Sequence, residues 1–118
     1  MNIEVTKTEQ AVLASISGEI TARNEQKAIT DFVTEQLERG ERLFLLDLSQ
    51  VEYISSLGIA CLAAAYVRVN GEGGKIKLIS PSRGVARVLD LTRVGDVFKT
   101  YDDVDDALHS EQGEEARE

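Results

Sequence analysis

Two short stretches near the amino end alternate hydrophobic and polar residues, which is the pattern of strands with one buried face. Asn2 to Thr6 is the first stretch and Ala11 to Ser17 is the second. The polar link Lys7 to Gln10 between them predicts a hairpin. Gly18 is predicted to end the second strand, and Glu19 to Thr21 to form a loop that leads into a helix.

The first predicted helix has hydrophobic residues three and four positions apart, so that they fall on one face. Thr21 or Asn24 is expected to cap its start, and Gly40 to stop it. The residues of the predicted buried face are Ile29, Phe32, Val33 and Leu37.

The stretch from Leu43 to Val69 joins a continuous hydrophobic run to a helix of small residues. Leu43 to Leu48 is hydrophobic on both faces apart from Asp47, which indicates a central strand covered by helices. A turn at Ser49 to Glu52 is expected next, followed by a helix from about Leu57 to Val69. The alanines of this helix predict close packing against the sheet.

The rest of the chain again alternates strand and helix. Lys75 to Ile79 is predicted as a core strand, Ser80-Pro81 as the start of a third helix, and Asp96 to Tyr101 as the last strand. Asp102 or Asp103 is expected to cap a short final helix. The order ββαβαβαβα predicts a single α/β domain with a mixed, largely parallel sheet.

Composition fits one globular domain. The chain has 118 residues, of which 42% are hydrophobic and 29% charged, as in ordinary soluble proteins. No hydrophobic run approaches the roughly 18 residues of a membrane span, and no leader is recognisable, so we expect a cytoplasmic protein without membrane insertion. We expect a folded domain over residues 1–109 and an acidic, disordered tail over 110–118.

The net charge of −8 is concentrated at the carboxyl end. Residues 102–118 contain eight acids and one arginine, a net charge of −7, so the preceding body is nearly neutral. An acidic end of this kind repels nucleic acid and anionic membranes, which argues against both as direct partners.

Side chains that usually perform catalysis are scarce. Cys61 is the only cysteine, which excludes an intramolecular disulfide and a cysteine-based zinc site. His109 is the only histidine and is most simply a solvated residue at a helix end. Gly71 to Gly74 follows a helix and precedes a strand, the reverse of a dinucleotide-binding loop. We therefore expect no enzyme activity, no metal and no cofactor.

Arg83 and Arg87 are four residues apart on the third predicted helix. The simpler interpretation is a solvated charged face that includes Asp90, because charge runs are usually wet surface. The alternative is a contact with a specific anionic partner.

Ser55 and Ser56 stand where the predicted second helix begins. Serine is a preferred N-cap, so one of them is expected to cap the helix. The start of a helix also stabilises negative charge, so a phosphate on either serine would be favourable there. The local physical arguments alone favour a capping role for the serine pair over a phosphorylation site.

Four motifs carry a resemblance to a known family. They are Ser17-Gly18-Glu19-Ile20, Leu46-Asp47-Leu48-Ser49, Val51-Glu52-Tyr53-Ile54-Ser55-Ser56-Leu57-Gly58-Ile59 and Arg87-Val88-Leu89-Asp90-Leu91-Thr92. With these motifs in this order and spacing, the chain resembles a STAS domain, and more narrowly the free-standing bacterial anti-sigma factor antagonists. The resemblance covers residues 1–109 and implies a sheet with helices packed mainly on one side.

The resemblance implies a phospho-switch. In such antagonists an anti-sigma serine kinase phosphorylates a serine or threonine before the second helix, and the unmodified form captures that kinase and frees a sigma factor; a serine phosphatase would reset it. By position Ser56 is the first candidate and Ser55 the second. Leu57 departs from the family pattern, since a hydroxyl residue often precedes the glycine.

The resemblance also implies a docking surface for that kinase, although Gly58 has a second interpretation as a packing residue. An alternative function is a STAS interaction module that is not phosphorylated, within a larger signalling or lipid-transport assembly. The candidate contacts are Glu19, Thr21, Asn24, Ser49, Ser55, Ser56, Leu57 and Gly58.

Overall fold

The computed structural model describes residues 1–21, 23–92 and 98–109, and within them the elements follow the predicted order. The predicted acidic tail and the beginning of the predicted last strand, at residues 96 and 97, lie outside the described residues. The strands are β1 (Asn2–Lys7), β2 (Val12–Ile20), β3 (Leu43–Ile54), β4 (Lys75–Ile79) and β5 (Lys99–Tyr101). The helices are α1 (Arg23–Glu38), α2 (Ser56–Gly71), α3 (Arg83–Thr92) and α4 (104–109).

The described strands form one sheet in the order β1-β2-β3-β4-β5. β1 is antiparallel to β2, and the remaining neighbours are parallel to one another. This arrangement confirms the predicted mixed, largely parallel sheet. Because the parallel strands point the same way, their carboxyl ends meet at one edge, where the sites of such sheets collect.

β3 lies at the centre of the sheet and is buried on both faces at its start, as its hydrophobic run predicts. Phe44 and Leu46 face α1, α2 and α3 in the main core cluster, which includes Leu62 of α2. Leu45 faces the opposite side in a smaller cluster that contains Ala107 of α4. The helices therefore pack mainly on one side of the sheet. In the described ranges, no helix has the length and apolar character needed to cross a membrane.

β2 and β3 are both longer than predicted. β2 continues through Gly18, whose φ of 94° suits glycine, as far as Ile20, and the predicted turn at Ser49 to Glu52 is part of β3. The pairing of the two strands shifts after Ser15 and again after Gly18, each time with one extra residue in β3. Such bulges interrupt the alternation of buried and exposed residues, which is why the sequence pattern predicted a turn.

The helix starts also differ from the predictions. Ser80 has a φ of 49° and precedes α3, whereas Ser82 caps it by accepting a hydrogen bond on Oγ from the Val85 N–H at 3.4 Å. The Ser82 hydroxyl also donates to the Val51 carbonyl at 2.8 Å, a tertiary contact that the sequence does not reveal. Asn24 is the second residue of α1 and thus not its cap.

Lys77 is a buried cation that the strand pattern does not predict. Its side chain is 2% exposed, and its Nζ donates a hydrogen bond to the Ala107 carbonyl at 2.8 Å. The same Nζ lies 5.0 Å from the centroid of the Tyr101 ring. Lys77 therefore connects β4 to α4.

Candidate functional site

The predicted serine pair lies at the carboxyl edge of the sheet, between the end of β3 and the first turn of α2. β2 ends beside it, because Ile20 pairs with Ile54 in the parallel register. The short link after β2 brings the start of α1 to the same edge. The N-termini of α1 and α2 therefore both lie at this edge, and the unpaired N–H groups at such ends favour negative charge.

Ser55 is the N-cap of α2. Its Oγ accepts a hydrogen bond from the Gly58 N–H at 3.2 Å and lies 3.4 Å from the Ile20 carbonyl and 3.5 Å from the Thr21 carbonyl, to which it can donate. Its N–H donates to the Ile20 carbonyl at 3.1 Å. The Ser55 hydroxyl is therefore engaged in the fold, as expected of one serine of the pair.

Gly58 lies where α2 comes closest to β2. It is buried, and a Cβ at this position would lie 2.3 Å from the Ile20 carbonyl oxygen and 2.6 Å from Cγ1 of Ile54. Real side chains do not approach so closely. Gly58 therefore sets the contact between helix and strand, which agrees with its packing interpretation.

Ser56 is the first residue of α2, and its side chain is exposed. Among the residues that the structure describes, no group donates a hydrogen bond to the Ser56 hydroxyl or accepts one from it. The two adjacent serines thus differ: Ser55 has a structural task, whereas Ser56 offers a hydroxyl that an incoming enzyme can reach.

Hydrophobic side chains border the exposed serine. Leu57 is 38% exposed and Tyr53 is 53% exposed. Tyr53 is a candidate contact that the sequence analysis missed, because the bulge before it turns it outward instead of into the core. An aromatic residue two positions before the serine pair was the only sequence signal for it.

Three predicted contacts flank the serine pair on the side of β2 and α1. Glu19 is exposed and pairs in register with Tyr53. Thr21 is half-buried and donates its N–H to Oε1 of Glu25 at 2.7 Å, with its hydroxyl 3.3 Å from the same oxygen. Asn24 is exposed in the first turn of α1. The structure therefore brings these residues to the edge that carries the serines.

Ser49 lies apart from this group. It precedes Ser55 by six residues of extended chain, a separation of up to about 20 Å. It is exposed, and its N–H donates to Oδ1 of Asp47 at 2.9 Å.

Cys61 faces the interior from α2. Its Sγ lies 3.6 Å from the carbonyl oxygen of Gln26, and burial raises the pKa of the thiol. The thiol is therefore neutral at physiological pH and is not a nucleophile of the site.

A cavity of about 900 Å³ lies away from the serine pair, at the opposite end of the sheet. Arg42, Lys75, Asp105 and His109 are among its lining residues. The candidate site consists instead of an exposed hydroxyl at a helix start, bordered by hydrophobic side chains and a carboxylate. Such a surface suits docking of another protein and acceptance of a phosphate.

Comparison with known proteins identifies the family. The family model of the STAS domain matches residues 2–107, and the chain belongs to this family. Within this family, the relatives that the chain resembles include proteins named anti-sigma factor antagonists. A Thermotoga neapolitana protein assigned as an anti-sigma factor antagonist homolog is 37% identical over 79 residues, which are 67% of this chain and 70% of the relative. The anti-sigma-B factor antagonist of Bacillus subtilis is 26% identical over 98 residues, 83% of this chain and 88% of the relative.

Solved structures share the fold. The anti-sigma factor antagonist SpoIIAA in its unphosphorylated form superimposes with a TM-score of 0.78 at 14% identity, over 95% of this chain and 97% of SpoIIAA. The phosphorylated form of the Bacillus protein gives a TM-score of 0.71 at 14% identity, over 92% of this chain and 97% of SpoIIAA. At this identity the likeness establishes the fold alone.

Proposed function

We propose that this protein is a cytoplasmic anti-sigma factor antagonist that works as a phospho-switch. In its unmodified form it binds an anti-sigma factor that is a serine kinase, and a sigma factor is released. Phosphorylation at the start of α2 ends this binding, and a serine phosphatase restores it. The protein itself needs no cofactor and catalyses no reaction in this scheme.

The exposed hydroxyl of Ser56 is the observation that carries the proposal. Ser55 is already bonded to Gly58 as the cap of α2, so Ser56 is the serine that a kinase can modify without unfolding the helix. A phosphate at Ser56 would be stabilised by the helix N-terminus while adding about −1.5 to −2 charges. The names of the relatives, which are anti-sigma factor antagonists, support the same function.

The phosphate would be incompatible with a bound partner for two reasons. Leu57 directly follows Ser56 and Tyr53 precedes it by three residues; both side chains are partly exposed, and a partner that buries them would also have to desolvate the phosphate. Glu19, which is exposed at the end of β2, would add like-charge repulsion. The docking surface that we propose consists of Glu19, Thr21, Asn24, Tyr53, Ser55, Ser56 and Leu57, with Gly58 holding α2 in place and Ser49 at its margin.

Leu57 favours one alternative. It occupies the position before Gly58 where related antagonists often carry a hydroxyl residue, so the chain would instead be a STAS module that binds its partner without being phosphorylated. This alternative predicts the same docking surface but no covalent modification.

Phosphorylation by the anti-sigma kinase encoded nearest in the genome separates the two functions. The purified protein is incubated with that kinase and ATP, and the phosphate is located by mass spectrometry. The wild type and Ser55→Ala are expected to gain one phosphate, and Ser56→Ala none. Kinase binding without phosphate on either serine would favour the alternative, and the absence of both binding and phosphate would overturn the proposal.

A further inference from the structure

α3 carries an exposed stripe of two arginines and a leucine. Arg83, Arg87 and Leu91 are four residues apart and therefore lie along one side of the helix. Both arginines are exposed, and Leu91 is 76% exposed, more than any other large hydrophobic side chain in the described ranges. These three residues are called the α3 stripe below.

The two arginines have no ion-pair partner in the part of the chain that the structure describes. By contrast, Arg39 pairs with Glu35 at 2.8 Å and Arg42 lies 3.8 Å from Glu72. Arg83 is also the first residue of α3, where the helix dipole disfavours a cation. A cation that lies at the unfavourable end of a helix and gains no contact within the fold is expected at a functional surface.

The α3 stripe adjoins the proposed docking surface. α3 begins where the Ser82 hydroxyl donates to the Val51 carbonyl at 2.8 Å, and a Cβ on Gly84 would lie 3.9 Å from the Glu52 carbonyl oxygen. Val51 precedes Ser55 by four residues of extended chain, a separation of about 13 Å at most. An interface of ordinary size, about 800 Å² per partner, can cover both places.

We propose that the α3 stripe is a second contact for the anti-sigma factor, in which Arg83 and Arg87 pair with carboxylates of the partner and Leu91 packs against an adjacent hydrophobic side chain. The inference rests on the proposed function and extends its docking surface to α3. Guanidinium groups suit this role, because they bind carboxylates through two parallel hydrogen bonds.

Charge complementarity identifies the partner segment as acidic. Residues 102–118 carry −7 of the net charge of −8 and the preceding body is nearly neutral, so an acidic segment of another protein is repelled by the carboxyl end and attracted locally by the α3 stripe. Nucleic acid has a far higher charge density and would be repelled by the chain as a whole. The stripe therefore orients the partner and raises its association rate, while Ser56 determines whether it stays bound.

Charge reversal tests the proposal with a matched control. Arg83→Glu/Arg87→Glu changes the net charge as much as Arg39→Glu/Arg42→Glu, whose arginines lie at the end of α1 and before β3. Association with the nearest-encoded anti-sigma kinase is measured between about 0.05 M and 0.5 M salt. The α3 variant is expected to associate about tenfold or more slowly at low salt and to lose most of the salt dependence, whereas the control stays within about twofold of wild type. Thermal melting checks that both variants are folded.

A chemical cross-link tests the contact directly. Arg83→Lys/Arg87→Lys keeps the charge and introduces amines that a carbodiimide can couple to carboxylates of the bound kinase, and Arg39→Lys/Arg42→Lys is the control. Cross-linked peptides from the α3 variant alone are expected. If the charge-reversed α3 variant binds like wild type and gives no such peptide while Ser56→Asp still abolishes binding, the α3 contact is wrong and the phospho-switch stands. If wild type does not bind the kinase at all, both are wrong.

Discussion

Gly58 and Ile20 are in such close contact that a methyl group on Gly58 would lie 2.3 Å from the Ile20 carbonyl oxygen. The same carbonyl accepts the N–H of Ser55 at 3.1 Å. The end of β2 therefore holds the first turn of α2, and through it the position of the exposed Ser56 hydroxyl. The geometry of the proposed switch therefore depends on a close contact between the backbones of β2 and α2.

Gly58→Ala is expected to destabilise the protein by about 1–3 kcal/mol, because the added Cβ forces α2 away from β2. Gly71→Ala is the matched control: Gly71 is also in α2, and a Cβ there meets nothing within 4 Å. The control is expected to change the free energy of unfolding by less than about 0.5 kcal/mol. Urea denaturation measures both, and equal values for the two variants would contradict the close contact.

The two serines are expected to differ in stability as well as in chemistry. Ser55→Ala removes the hydrogen bond that caps α2 and is expected to cost about 1 kcal/mol. Ser56→Ala removes an exposed hydroxyl and is expected to cost less than about 0.5 kcal/mol. Thermal melting of both variants checks this order, and a larger loss for Ser56→Ala would show that the cap has been assigned to the wrong serine.

Lys77→Met is expected to loosen α4. The substitution keeps the length of the side chain but leaves the Ala107 carbonyl without the Nζ donor, at a cost of about 1–3 kcal/mol. Hydrogen exchange of the amides in residues 104–109 should accelerate. Lys99→Met, at an exposed position of β5, is the control, and the same exchange rates in both variants would contradict the anchoring role of Lys77.

Cys61 gives the stability a specific dependence on pH. Because burial raises the pKa of the thiol, the folded state keeps its proton more tightly than the unfolded state. The protonated thiol therefore contributes to the free energy of unfolding. This contribution is fully present below about pH 9 and is lost as the pH rises further through the pKa of the folded thiol. Urea midpoints measured at rising pH should therefore fall more steeply for wild type than for Cys61→Ala. Parallel curves would contradict the raised pKa.

The order of elements and the sheet could be predicted because both depend on local periodicity. Leu43 to Leu46 is continuously hydrophobic, so its place at the centre of a sheet covered by helices followed from the sequence. The bulges in β3 could not be predicted, since they depend on pairing with β2 and interrupt the alternation that strand prediction uses. Tyr53 was missed as an exposed residue for this reason.

The cap of α2 was predicted in part. A serine at a helix start predicts a cap, and the structure assigns that cap to Ser55, which the sequence left open. The cap of α3 and the burial of Lys77 were not predicted, because both depend on tertiary hydrogen bonds. Ser82 caps α3 and also donates a hydrogen bond to β3, and Lys77 donates one to α4, thirty residues further along the chain. Contacts between residues so far apart in the sequence leave no local pattern.

Release of a sigma factor is the measurement that tests the central claim most directly. The protein is titrated into the complex of the nearest-encoded anti-sigma kinase with its sigma factor, without ATP, and free sigma factor is measured. Wild type and Ser56→Asn are expected to release the sigma factor, whereas Ser56→Asp and the protein phosphorylated at Ser56 are expected not to. Ser56→Asn is the neutral control for Ser56→Asp, because asparagine and aspartate have nearly the same size. Equal release by all four forms would contradict a switch at Ser56.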